Sequence, residues 1–260
     1  MRSSQQAFFG ISALVLVASA AVTVLWSGSM SAMGEMPMPG GWTMSMMWMR
    51  MPGQTWPSAA MSFLGMWVVM MVAMMLPSLV PMLWRYLQAI GTTGRTDSGW
   101  LTALVGAGYF SVWTVLGMIA FPLGVALTKL EMQWPALSRA VPMVVGVVVS
   151  IAGLLQFTAW KAHHLASCRD VVGCGRKLQT DARAAWRHGV RIGLHCSCCC
   201  ANLTAVLLVV GVMDLRAMAV VTAAITCERL MLAGERVSRV IGAIVVGIGL
   251  YLIAQAAGLR

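Results

Sequence analysis

The chain has 260 residues, of which 59% are hydrophobic and only 10% charged. A soluble domain carries about a quarter charged residues, so this composition excludes a water-facing globule and points to surface that faces lipid. The net charge of +10 does not signal a nucleic-acid partner, because the basic residues sit in short segments between apolar runs and no recognition motif accompanies them.

A membrane-crossing helix needs roughly 20 apolar residues. In chain order, spans are predicted at residues 7–26, 61–84, 100–127, 140–160, 192–213, 217–231 and 240–257. The predicted fold class is therefore all-α membrane: a polytopic helical bundle of about seven transmembrane helices. The count falls to six if the first is a cleaved signal or the last two are miscounted. The first run follows a lone Arg2, is long for a signal sequence and has no clear small-residue cleavage site, so it reads as an uncleaved anchor. The sixth run is short. Gly242, Gly247 and Gly249 weaken the seventh as a helix in water but serve close packing in a membrane.

Two parts follow. Residues 1–60 form an N-terminal anchor helix and a Met-rich outer loop. Residues 61–260 form the polytopic membrane domain, with a basic inner loop at 161–191 that approaches the fifth span through Trp186, Arg187 and His188. With the N-terminus inside, thirteen Lys and Arg fall in inside segments and five outside. That bias predicts a bacterial inner (plasma) membrane protein with the N-terminus cytoplasmic, the Met-rich loop outside and the Cys/His-rich loop cytoplasmic.

Sulfur is divided between two zones. Sixteen of the 23 methionines lie between Met30 and Met82. Met30, Met33, Met36, Met38, Met44, Met46, Met47, Met49 and Met51 crowd the outer loop. Thioether is a soft ligand that suits Cu(I) and survives where thiols would oxidise, which makes this loop a candidate copper collector. A loop resting its Met and Trp at the lipid interface is the plain alternative. In the second span Met66, Met70 and Met74 recur at i, i+4 and i+8, beside Met71 and Met75. They make a thioether stripe on one helical face, a shape that serves packing as readily as conduction. Pro77 and Pro81 predict a bend near its inner end.

All seven cysteines lie between Cys168 and Cys227. Cys196, Cys198, Cys199 and Cys200 fall within five residues, and on a helix Cys196, Cys199 and Cys200 share one face. Three thiolates on one face suit a soft-metal site. His164, Cys168 and Glu228 are predicted at the same membrane face and join Met70 and Met74 as metal candidates. Cys174, Cys227, His195, Met66, Met71 and Met75 are secondary candidates. Glu228 is either a ligand or a counter-charge, with Arg229 or Arg216 as its ordinary partner. Cys196 and Cys199 also have the Cys-x-x-Cys spacing of thiol redox chemistry.

Several motifs together are distinctive. They are residues 67–77, Gly108-Tyr109 with Trp113, Gln156-Phe157-Thr158 followed by Lys161, Cys168-Arg169, Cys196 with Cys199-Cys200, Gly211 to Asp214, and Glu228-Arg229. In these the chain resembles a bacterial family of predicted metal-binding integral membrane proteins of unknown function, whose members are often labelled copper chaperones. The resemblance covers roughly residues 61–231. It departs at Cys198, where the family commonly has Gly, at Ala201, where it has Trp, and at His164, where Cys is expected. The change to His keeps a ligand and widens the preference toward zinc.

The expected function is handling of a soft metal ion, copper(I) first and zinc second, by binding, membrane chaperoning or transport. Expected partners are the lipid bilayer and a copper-accepting or copper-donating protein, with no nucleic acid. No phosphate-binding loop is present, which argues against a self-powered pump. No enzyme activity is expected, although thiol redox or electron relay through the cysteine cluster is one alternative. An accessory or assembly subunit of a membrane complex is another.

Overall fold

The computed structural model describes residues 2–32, 36–38, 42–44, 46–50, 53–91, 97–170, 181–231 and 233–258. Eight helices are described: α1 (Arg2–Ala32), α2 (Trp56–Gly91), α3 (Ser98–Gln133), α4 (Pro135–Leu155), α5 (Ala159–Asp170), α6 (Ala182–Val210), α7 (Leu215–Leu230) and α8 (Gly234–Ala256). Between α1 and α2 lies a three-residue antiparallel hairpin, β1 (Met36–Met38) and β2 (Trp42–Met44), followed by a 3-10 turn at Met46–Trp48.

Among the described residues, six helices are long and apolar enough to cross a membrane: α1, α2, α3, α4, α6 and α8. This is the lower of the two expected counts. The difference is α7, whose 16 residues rise only about 24 Å at 1.5 Å each, short of a hydrocarbon core of about 30 Å. Helix boundaries also move. The Trp186–His188 approach is not a separate segment, because α6 begins at Ala182. The prolines do not end α2, which runs on through Pro77 and Pro81.

Packing sets the helix directions. Phe8 of α1 meets Trp84 of α2 with ring centroids 5.4 Å apart, while Trp26 and Met66 line one cavity at the other end, so α1 and α2 are antiparallel. Trp67 Nε1 of α2 donates to the Trp113 carbonyl of α3 at 2.8 Å, and Leu83 lies over Gly106 farther down, again antiparallel. Helices α3 and α6 run parallel, with Gly189 against Val105 and Gly193 against Tyr109. Helices α4 and α8 run antiparallel, with Gly146 facing Gly249 and Gly153 facing Gly242. A β-carbon at any of these four glycines would overlap the facing backbone or side chain, so their absence of side chain is what lets the two helices touch. Gly247 faces open space and takes no part.

The core lies among α2, α3, α6 and α7. Met66, Met70, Met71, Met74 and Met75 of α2 share it with Cys196, Cys199 and Cys200 of α6. Helix α1 stays peripheral, with Ile11, Leu14, Val17 and Leu25 all exposed. Apolar side chains on an outer helix are stable facing lipid and costly facing water.

Candidate metal centre

Helix α6 carries the cysteine run because Gly189 and Gly193 let it lie directly on the α3 backbone. That approach turns one face of α6 fully inward. Cys196, Cys199 and Cys200 are completely buried on it, while Cys198 is only partly buried beside them. The spacing of the run thus maps onto the packing as the helical period requires.

Cys196 is the best-connected thiol. Its Sγ lies 2.9 Å from Tyr109 Oη, accepts from Arg229 Nη1 at 3.2 Å, and stands 3.9 Å from Cys200 Sγ. Arg229 also donates to Ser78 Oγ at 2.8 Å, tying α7 to α2. Cys168 arrives from α5. Its thiol is pushed up from the ordinary cysteine value, first by a hydrogen bond with Cys199 and then by burial. Four thiols from α5 and α6 therefore adjoin one another, with a guanidinium and a phenol on Cys196.

Beside them lies a buried ion pair. Lys161 Nζ donates to Glu228 Oε2 at 2.7 Å and to the Cys199 carbonyl at 2.6 Å, with both side chains only 1% exposed. Glu228 Oε1 accepts from Gln156 Nε2 at 2.9 Å. Gln156 Oε1 in turn accepts from Ser238 Oγ at 2.8 Å. These bonds join the α4–α5 turn, α6, α7 and α8 at one level of the bundle. A buried charge pair is tolerable only when its remaining donors and acceptors are satisfied in this way.

The carboxylate pairing differs from the sequence expectation. Neither Arg229 nor Arg216 is the hydrogen-bonded partner found for Glu228; Lys161 is, and Arg229 turns to Cys196 instead. The reason is position. Lys161 lies in the first turn of α5 and α5 packs on α6, which sequence distance does not reveal. Both Glu228 oxygens are engaged, which makes it a counter-charge in this arrangement.

The other candidates are placed as follows. His164 lies half-buried on α5, its ring 6.2 Å from that of His195, and its Nδ1 is buried with no hydrogen-bond partner. Cys227 is exposed and points away from the cluster. Cys174 lies outside the described residues. Met66, Met70, Met71, Met74 and Met75 are all buried in the shared core. Among the described residues, no three or more His, Cys, Asp or Glu side chains are grouped so as to hold a metal ion. The thiols adjoin in a row, Cys168 beside Cys199, Cys199 beside Cys200 and Cys200 beside Cys196.

Tyr109, Gln156, Lys161 and Arg229 build this centre, yet the spacing of residues assigned no role to the first three and gave Arg229 only as a partner for Glu228. Their presence in the family motifs was the available signal. Ser78 had no signal at all.

A family model described as Copper chaperone, PpoB2, matches residues 64–252. No curated protein matches the chain, and no solved structure does. The match takes in every residue of the centre just described, from Ser78 to Ser238, and the chain belongs to this copper-chaperone family.

Proposed function

We propose that the chain is a membrane-embedded handler of Cu(I) that passes the ion to or from another protein. In this reading the methionines of the outer loop collect copper, the α2 stripe carries it inward, and the Cys196 cluster receives or releases it. The bundle lies in a bacterial inner membrane, with the Met-rich loop outside.

The observation that carries the reading is the surroundings of Cys196. A fully buried thiol that accepts from a guanidinium and lies 2.9 Å from a phenol oxygen is a soft donor held in a fixed place. With Cys200 Sγ 3.9 Å away, Cys196 offers the start of a two-sulfur site. Soft thiolates select Cu(I), which accepts low coordination. Structural zinc takes four ligands, and nothing here favours it. The family description supports copper as cargo.

The test is metal analysis of the protein purified in detergent after Cu(I) loading. Cys196→Ser, Cys199→Ser and Cys200→Ser should each lower bound copper, with Cys196→Ser the most severe. Equal copper in wild type and all three variants overturns the inner site. Thiol redox chemistry draws on the same buried Cys196. It predicts a mixed disulfide with a partner and no need for bound copper.

A further inference from the structure

The outer end of the bundle holds a cavity of about 40 Å3 lined by methionines from three separate segments. Met30 comes from the end of α1, Met47 and Met49 from the 3-10 turn and the residue after it, and Met66 from α2. Trp26 and Phe63 add aromatic wall. The lining side chains include no Cys, His, Asp or Glu.

The segments are fastened there. Trp48 sits in a notch on α3 where a β-carbon on Gly124 would overlap its indole, and its ring lies 5.2 Å from that of Phe63. That anchor seats its neighbours Met47 and Met49 on the cavity. Trp42 Nε1 donates to the Ser138 carbonyl at 2.9 Å, tying the hairpin to α4. Ser27 Oγ donates to the Met213 carbonyl at 2.8 Å, fixing the end of α1.

A water needs roughly 10–15 Å3 of such space, so this cavity has room for a small ion. Gln54 and Ser62 also line the cavity, so oxygen is present, but four thioethers and no anionic side chain give a lining that favours a soft monovalent ion over a divalent one. Aromatic faces add a cation–π attraction. Met66 stands one helical turn from Met70, so the cavity lies at the head of the α2 methionine row.

We propose that Met30, Met47, Met49 and Met66 form an outer binding site for a soft monovalent cation, Cu(I), at the head of the α2 methionine row. The site rests on the reading of the chain as a Cu(I) handler. Three of its four methionines precede residue 64, where the family match begins, so it is a feature of this chain's own N-terminal region.

Silver(I), soft and redox-inert, is the probe, applied to the full chain in detergent. Peroxide oxidation of methionine is followed by mass spectrometry at the half-buried Met30 and Met49. With Ag(I) filling the site to roughly nine-tenths, sulfoxide formation there should fall roughly tenfold by mass action. The exposed Met61 and Met118 should be unaffected. Met47→Leu with Met49→Leu, which conserves apolar volume, should remove one bound Ag(I) and abolish protection of Met30. Gly124→Leu should do the same by expelling Trp48, without touching a thioether. Protection that survives Cys196→Ser, Cys199→Ser and Cys200→Ser supports an outer site even if the inner cluster takes no metal. Unchanged oxidation of Met30 and Met49, with Ag(I) bound elsewhere, overturns the outer site and leaves the inner one standing.

Discussion

Arg229 is the residue on which the inner centre turns. Hydrogen bonds to charged groups contribute about 1.5–3 kcal/mol, which is roughly 10- to 100-fold in affinity. Arg229→Met should therefore weaken Cu(I) binding by one to two orders of magnitude in a chelator-competition titration. Tyr109→Phe, which removes one hydroxyl, should cost only a few-fold. Lys161 and Glu228 act first on stability. Glu228→Gln leaves the buried Lys161 cation without its carboxylate and should cost about 3–5 kcal/mol, read by denaturant unfolding in detergent. Combining Lys161→Met with Glu228→Leu removes both charges and should recover most of that loss. If it does not, Lys161 matters chiefly through its bond to the Cys199 carbonyl.

The elements meet through missing side chains. Along α8, Gly249 lies against Ser150 and the Gly146 carbonyl, whereas Gly247 faces nothing within 4 Å. The two are two residues apart, so they form a matched pair on one helix. Gly249→Leu should destabilise the bundle by at least about 1–3 kcal/mol through overpacking. Gly247→Leu should change stability by no more than about 0.5 kcal/mol. Because Ser238 on α8 holds Gln156, and Gln156 holds Glu228, displacing α8 should also reduce copper bound at the inner centre. A normal copper content in Gly249→Leu would mean that the centre does not depend on α8.

At the scale of the molecule, α1, α2, α3, α4, α6, α7 and α8 alternate in direction, although among the described residues six of these helices are long enough to cross a membrane. Helix α7 reverses the chain in 16 residues, and α8 then lies antiparallel to α4. The short return brings Glu228 and Arg229 to the level of Ser78, Tyr109, Lys161 and Cys196, so five helices supply one centre. A ligand that binds only this folded arrangement stabilises it by mass action. Free Cu(I) at 100 times its dissociation constant should add about 2.7 kcal/mol. The wild-type protein should show the corresponding rise in melting temperature and Cys196→Ser should not.

The hydrophobic runs, by themselves, determined a helical bundle with long apolar helices, because a run of some 20 apolar residues has few other stable forms. The helical period likewise determined that Cys196, Cys199 and Cys200 share a face and that Cys198 does not. What the tertiary structure decided was who meets whom. The Lys161–Glu228 pair, the Arg229 and Tyr109 contacts on Cys196, and the gathering of Met30, Met47, Met49 and Met66 all join residues far apart in the chain. Such pairings depend on glycine contacts between helices and on a 16-residue return, and spacing along one helix carries no record of them. The polytopic assignment survives in this form, as seven alternating helices among the described residues, six of them long enough to span, and two candidate sulfur sites now stand at different levels of the same bundle.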